Sequence, residues 1–242
     1  MLPRPDTAIV IPTYNERDTI TTILDAVRAR LPDADILVVD DSSPDGTADI
    51  VTDLGRSDER VSLLLREAKE GLGAAYVAGF RHLLDLGYRR IVQMDADFSH
   101  DPSYLSAMVA ELDAGADLVI GSRYIPGGGT RDWPLFRRLT SRGGSLYAAL
   151  LLGLPIRDVT GGFKAWSAPL LRAAIKHELA LAGFGFQIEM NYRARLLGAD
   201  IREIPIIFPD RQEGQSKMNR GIFAEALVGV WRLRCAGRRL VE

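Results

Sequence analysis

The feature that most constrains this chain is the alternation of short apolar runs with helical patterns through its first half. AIVIP (8–12), ILVVD (36–40), VSLLL (61–65), RIVQMD (90–95) and DLVIGS (117–122) are rich in β-branched residues and apolar along most of their length. Strands buried on both faces read this way. Between them, TITTILDAVRARL from Thr19, GAAYVAGFRHLLDLG from Gly73 and PSYLSAMVAELDAG from Pro102 repeat apolar residues every three or four positions, as helices do when one face packs on a sheet. Strand and helix in turn predict an α/β fold with a mostly parallel central sheet flanked by helices. Such sheets gather their ligands outside the carboxyl ends of the strands, so the informative polar residues are expected there.

After Ser122 the rhythm changes. A glycine-rich loop, RYIPGGGTRDW, precedes an Arg-rich helix start with an apolar continuation over 135–152, and a short strand is expected around GFKAW. A helix around FQIEMNYRARLLG, the extended run DIREIPIIFP, the polar loop RQEGQSKMNR and a last helix from Ile222 complete the chain. With no internal repeat, low-complexity tract or linker, residues 1–242 are expected to form one domain, the terminal helix 222–242 serving as a membrane- or partner-facing appendage.

Charge and cysteine content narrow the function classes. The 30 Lys+Arg nearly match the 32 Asp+Glu, so no global field recruits nucleic acid and an anion site must come from local clustering. Cys235, the single cysteine, suits a reducing compartment. The start, MLPRPDTAIVIPTYNE, lacks the basic and then apolar regions of a secretion signal, and the longest uncharged stretch, residues 143–156, falls short of the roughly 20 residues a spanning helix needs. A cytoplasmic protein without transmembrane helices is expected.

Three strand ends carry polar groups of one kind: PTYNE (12–16), DDSSPDGT (40–47) and DADFSHD (95–101). Turn chemistry accounts for residues 44–47, with Asp45 or Thr47 capping the next helix, and for Asp101 capping the helix begun by Pro102. It accounts less well for Asp40 beside Asp41 at the end of a buried strand, where carboxylates repel unless a cation or donors attend them. Asp95 and Asp97 are separated by one residue, so at a strand's frayed end both can point the same way and reach one hard cation, Mg²⁺ or Mn²⁺, together with phosphate oxygens and water. Asp-x-Asp alone is weak; its position beside two other polar strand ends favours a metal-diphosphate site over a solvated acidic loop. Lys69 with GLGAA matches neither phosphate-loop pattern and reads as wall.

PTYNE, DDSSPDGT, DADFSH, GSRY and RQEGQSK, in this order from about Ala8 to about Lys217, resemble the inverting GT-A-type glycosyltransferases, most closely the polyprenol (dolichol) monophosphate mannose synthases. The resemblance implies a GT-A, Rossmann-like fold and transfer of mannose from GDP-mannose to a polyprenyl phosphate. It implies a donor pocket of Pro12, Tyr14, Glu16, Val39 and Asp41, with Asp95, Ala96 and Asp97 at the metal and diphosphate, and a donor-closing loop bearing Arg211 and Lys217. It places the acceptor phosphate at Arg123, Arg137 and Ser141, and makes Asp95, Asp97 and Arg123 the catalytic residues. Where the family often has a glutamine metal ligand this chain has Ser99; a hydroxyl is shorter, so that contact is expected from Ser99, from water or from His100.

The chemistry of that reaction fits the residue types. It joins two anions, so the site must neutralise a leaving diphosphate and an incoming phosphate. Arginine's planar fork suits phosphate oxygens, and Arg123, Arg131, Arg137, Arg138 and Arg142 cluster in an otherwise balanced chain. For Arg131, Arg138 and Arg142 a solvated helix face is the competing reading. A phosphate monoester with a second pKa near ~6 is already nucleophilic at neutral pH, which predicts single displacement with inversion, a β-linked product and no covalent enzyme intermediate.

A lipid acceptor also requires membrane contact. The run from Leu146 to Leu154 reads slightly better as a core helix, whereas WRLRCAGRRLVE at the C-terminus fits a solvated end or an anionic interface equally. Relatives that glycosylate polyprenyl phosphates often carry spanning helices, so peripheral binding to the cytoplasmic face of a membrane, with or without a separate membrane-anchoring protein, is expected. Competing readings are a UDP-glucose-dependent transferase acting on the same lipid and, because of Ser99, a silent nucleotide-sugar-binding scaffold. His82, His177 and Cys235 lack partners of the kind that metal binding or nucleophilic catalysis requires, and Glu189 reads as structural or near the sugar.

Overall fold

The computed structural model describes residues 5–181, 183, 185–209 and 220–242. The first half runs β1 (Thr7–Thr13), α1 (Ile20–Arg30), β2 (Asp35–Asp40), α2 (Thr47–Ser57), β3 (Val61–Leu65), α3 (Leu72–Asp85) and β4 (Arg90–Gln93), then a 3₁₀ turn into α4 (Leu105–Asp113) and β5 (Leu118–Ser122). The remainder comprises β6 (Gly129–Thr130), α5 (Leu135–Leu152), β7 (Lys164–Ser167), α6 (Ala168–Ala174), α7 (Gly185–Leu196), β8 (Ile201–Pro205), β9 (Ile207–Phe208) and α8 (Arg220–Ala236).

Seven strands form one sheet in the order β3-β2-β1-β4-β7-β5-β8, and β6 pairs with β9 beside it. Every pairing in the large sheet is parallel except those of β7, which runs antiparallel between β4 and β5. Both faces are covered, as the continuous apolar strands require. Ile9 and Ile11 pack with Ile20, Ile23, Leu105 and Met108 on one side; Ala8 and Val10 pack with Tyr76, Phe80, Leu83 and Phe186 on the other. Helix α3 approaches the sheet so closely that a Cβ at Gly79 would overlap Val10 Cγ2 and lie 2.9 Å from Val39 Cγ2.

The chain winds outward from β1 to β3 and then returns to β4 on the other side of β1. The crevice between β1 and β4 is therefore a topological switch point, the usual place for a ligand in an open α/β sheet.

Two expectations are corrected. β4 stops at Gln93 rather than Asp95: Met94 still donates to the Val10 carbonyl, but the Asp95 N–H turns to His100 Nδ1. A side-chain acceptor there ends the ladder two residues early. The apolar run on α5 is not wholly core. Ala148, Leu152 and Leu154 are buried, but Leu146 is 59% and Leu150 74% exposed, in line with Leu135, Phe136 and Leu139 nearer the helix start. No helix among the described residues is long and apolar enough to cross a membrane.

Candidate active site

The loops leaving β1, β2 and β4 each contain one non-glycine residue in the left-handed region: Asn15 (φ 62°), Ser42 (φ 56°) and Phe98 (φ 57°). Such a conformation costs about 1–2 kcal/mol and persists where surrounding bonds over-determine it. Those bonds are present. Asp40, wholly buried, accepts from Thr13 Oγ1 at 2.7 Å, Ser43 N at 2.8 Å and Ser43 Oγ at 2.6 Å. Ser43 Oγ in turn accepts from the Asn15 N–H at 3.0 Å. Asp40 is thus a tie between the first two loops. Its neighbour Asp41 pairs separately with Arg66 at 2.6 Å, which relieves the repulsion between the adjacent carboxylates. Asp45 accepts from Arg17 N, Thr47 N and Thr47 Oγ1; burial raises its pKa, but these bonds outweigh it and leave the carboxyl below its usual value.

The predicted donor residues differ in how far they are exposed. Tyr14 is exposed, and Lys69 Nζ lies 3.4 Å from its ring centroid, so the segment read as wall touches a candidate donor contact. Glu16 accepts from the Thr19 hydroxyl at 3.0 Å, while its N–H donates to Thr47 Oγ1. Pro12 and Val39 are opposite one another in the sheet register. The Val39 side chain is buried beneath α3 at Gly79, so a ligand would meet its backbone; Ala96 is buried likewise. Arg211 and Lys217 lie outside the described residues.

Beyond β4, Asp95 Oδ1 accepts from Tyr76 Oη at 2.7 Å and Asp97 Oδ1 from Ser99 N at 3.0 Å. Burial drives the Tyr76 phenol well above its ordinary pKa, and the charges of Asp95 and Asp97 both add to this. One hydroxyl thus feels both carboxylates. Both carboxylates lie on the loop beyond β4, which ends at Gln93.

Ser99 is buried, and its Oγ has no hydrogen-bond partner. His100, also buried, spends Nδ1 on the Asp95 amide and stacks on Phe163 with centroids 5.0 Å apart. Its Nδ1 is thus occupied, while Nε2 stands 4.0 Å from Asp95 Oδ2. No group of three or more His, Cys, Asp or Glu able to cage a metal occurs among the described residues. Two carboxylates and an orphaned hydroxyl nevertheless suit a hard cation that keeps water and phosphate oxygens as its other ligands.

The basic side is more deeply built than its sequence suggests. Arg123 is 8% exposed, and Asp158 is fully buried. Asp158 accepts from Arg123 Nε and Nη2, both at 2.7 Å, and from Arg123 N at 2.9 Å; Nη2 also donates to Thr160 Oγ1 at 3.0 Å. The rings of Tyr124, Trp133 and Phe208 surround the guanidinium at 5.1, 5.4 and 5.3 Å. The arginine expected at the acceptor phosphate thus commits Nε and Nη2 to Asp158 and Thr160. Burial would lower its pKa, but Asp158 holds it above the ordinary value. Arg137 Cζ stands 3.9 Å from the Trp133 ring centroid, and Ser141 Oγ accepts from Tyr124 Oη at 2.7 Å. Phe208 joins the two sides: its edge meets His100 at 5.7 Å and its ring lies beside Arg123.

Beneath both sides lies a polar network that sequence reasoning missed. Lys164 Nζ donates to Gln187 O and Oε1 at 3.1 and 2.8 Å. Gln93 Nε2 donates to Gly162 O and to Gln187 Oε1, while Gln93 Oε1 accepts from Trp166 Nε1. Burial pushes the Lys164 pKa down to about 7 against the opposing pull of Asp158. Gly162 fits between His100 and Gln187, where a Cβ would lie 3.3 Å from each. The signal was DVTGGFK, an acid and a hydroxyl followed by paired glycines and a lysine inside an apolar run. Tyr76 and Trp133 were missed because each sits in a segment whose periodicity or glycines explained it already.

A Rossmann-like sheet with its polar groups at the switch point, an acidic pair on one side and caged arginines on the other, defines a GT-A-type protein. The chain belongs to glycosyl transferase family 2, whose model matches residues 8–173. It is 46% identical over 229 residues to an undecaprenyl-phosphate mannosyltransferase of Micrococcus luteus, covering 95% of this chain and 94% of that protein. To a polyprenol monophosphomannose synthase of Mycolicibacterium smegmatis it is 43% identical over 235 residues, covering 96% and 89%. In three dimensions it resembles glucosyl-3-phosphoglycerate synthase from Mycobacterium tuberculosis, solved with Mn²⁺, UDP and phosphoglyceric acid. The TM-score is 0.66 at 21% identity, over 96% of this chain and 78% of that one, a likeness of fold.

Proposed function

We propose that this protein transfers mannose from GDP-mannose to a polyprenyl phosphate, with inversion, giving a β-linked polyprenyl phosphate mannose and using Mg²⁺ or Mn²⁺. The observation that carries the reading is Phe208 lying between His100, whose Nδ1 accepts from the Asp95 N–H beside the acidic pair, and the caged Arg123, an arrangement suited to bringing two phosphate-bearing substrates together. The names of the relatives favour mannose and a polyprenyl acceptor. Asp95, Asp97 and Ser99 would hold the cation, which when bound neutralises charge on the leaving diphosphate. Tyr76 fixes Oδ1 of Asp95, and Oδ2 stands 4.0 Å from His100 Nε2. Arg123, with Arg137 and Ser141, receives the acceptor phosphate, whose own oxygen attacks; no side chain need remove a proton.

The acceptor's lipid end requires an apolar approach. Leu135, Phe136, Leu139, Leu146 and Leu150 are exposed along α5, the helix that also carries Arg137 and Ser141, and Trp231 is 56% exposed on the neighbouring α8. Arg138 and Arg142 are exposed beside these apolar residues on α5, a combination that suits an anionic membrane surface, so peripheral docking, alone or with an anchoring protein, is part of the proposal.

The test is radiolabel transfer from GDP-mannose to a short polyprenyl phosphate, with and without Mg²⁺ or Mn²⁺. Wild type should transfer only with metal, and Asp97→Ala should not transfer. Transfer from UDP-glucose but not from GDP-mannose would refute the donor, and metal-independent transfer would refute the cation's role.

A further inference from the structure

The connection between β5 and α5 ends near Trp133, an aromatic residue that lies between Arg131 and Arg137 of the basic cluster. Its ring is 9% exposed, fixed by edge contact with Phe208 at 5.5 Å and by Nε1–H donation to the Pro209 carbonyl at 3.4 Å. Two cations use that one ring: Arg137 Cζ lies 3.9 Å from its centroid and Arg123 Cζ 5.4 Å. Guanidinium groups so near a common point repel each other. Each is attracted to the electron-rich aromatic face, so the indole offsets part of the repulsion while setting the distance between them. Asp158 offsets charge at Arg123 as well.

We infer that Trp133 is a positioning residue, holding Arg123 and Arg137 as a pair of fixed spacing that receives a single phosphate monoester. The inference rests on the acceptor-phosphate reading of these arginines. A ring that merely filled space against Phe208 would support folding and affect both substrates alike.

The two roles separate in steady-state kinetics, with acceptor and donor varied in turn, for wild type, Trp133→Phe, Trp133→Leu, Arg137→Ala and the Leu/Ala double variant, each checked by its melting temperature. Trp133→Leu should raise the acceptor KM roughly three- to thirtyfold, the factor corresponding to one or two lost cation–π contacts, and leave the donor KM unmoved. Trp133→Phe, which keeps a π face, should recover most of that loss. The double variant should show less than the product of the two single factors, because both changes act on one pair. Trp133→Met, closer in volume, replaces the leucine variant if that fails to fold. An unchanged acceptor KM in Trp133→Leu, or equal rises in both KM values that multiply with Arg137→Ala, would overturn the inference while leaving the acceptor site standing. An unchanged acceptor KM in Arg137→Ala would remove the acceptor site itself.

Discussion

Removing the Asp158 carboxylate tests how far this site depends on a buried charge pair. Asp158→Ala takes away an acceptor of three hydrogen bonds, two from the guanidinium and one from the Arg123 backbone, and strands a guanidinium that is 8% exposed. Breaking one half of a buried pair costs about 3–5 kcal/mol, because the remaining charge is left without its partner. At roughly 2–4 °C per kcal/mol for a chain of this size, the melting temperature should fall by about 6–20 °C. Urea denaturation measures the loss directly as a lowered midpoint at unchanged slope. Replacing both partners with apolar residues, as Arg123→Met with Asp158→Leu, should recover most of the stability, since an apolar pair avoids the desolvation penalty, yet leave the protein unable to transfer mannose. A loss below about 1 kcal/mol in Asp158→Ala, the range of exposed pairs, would refute the argument that Arg123 is fixed by this pair.

Further outcomes follow from other contacts. Tyr76→Phe removes the hydroxyl bonded to Asp95 Oδ1, a net loss of about 1 kcal/mol; transfer should drop roughly fivefold, and an unchanged kcat/KM would show that Asp95 needs no such tether. Gly79→Ala forces a Cβ onto Val10 and Val39 and should cost about 1–3 kcal/mol by overpacking, measured as a lower urea midpoint; wild-type stability would contradict the close approach of α3. Lys164, with a folded pKa of about 7 against about 10.4 unfolded, binds fewer protons folded than unfolded between those values, so stability rises with pH across that window. Relative to Lys164→Met, wild type should therefore gain stability from pH 7 towards pH 10 in urea titrations; a difference constant with pH would refute a largely neutral buried amine.

The parallel framework was legible because its signal is local. Runs such as ILVVD and the three- or four-residue spacing of α1, α3 and α4 need no knowledge of partners, and α5 spans residues 135–152 as expected. What failed to show was long-range. Nothing in GFKAW says that it inserts antiparallel between β4 and β5. Helical periodicity marks Leu146 and Leu150 as one face of α5 without saying whether anything covers it. The acidic motif was visible as a motif, but its geometry depends on Tyr76, which reaches Asp95 from α3, and on a turn of the loop itself that brings His100 back to the Asp95 N–H. Arg123 stood out as a cation, while its partner Asp158, in Asp-Val-Thr-Gly-Gly, lies 35 residues away with nothing local to mark the pairing.

The placement of β7 has a consequence for synthesis. While the chain emerges from its amino end, β1 to β4 can associate as soon as residue 93 is available, and the loop bearing Asp95 and Asp97 follows at once. The next position in the sheet stays vacant until residues 164–167 arrive, leaving β4 as a bare, apolar margin that invites wrong partners. Strand β5, and with it Arg123, lacks its β7 neighbour until that wedge arrives, so the half of the sheet bearing Arg123 is completed after the half that leads to Asp95 and Asp97.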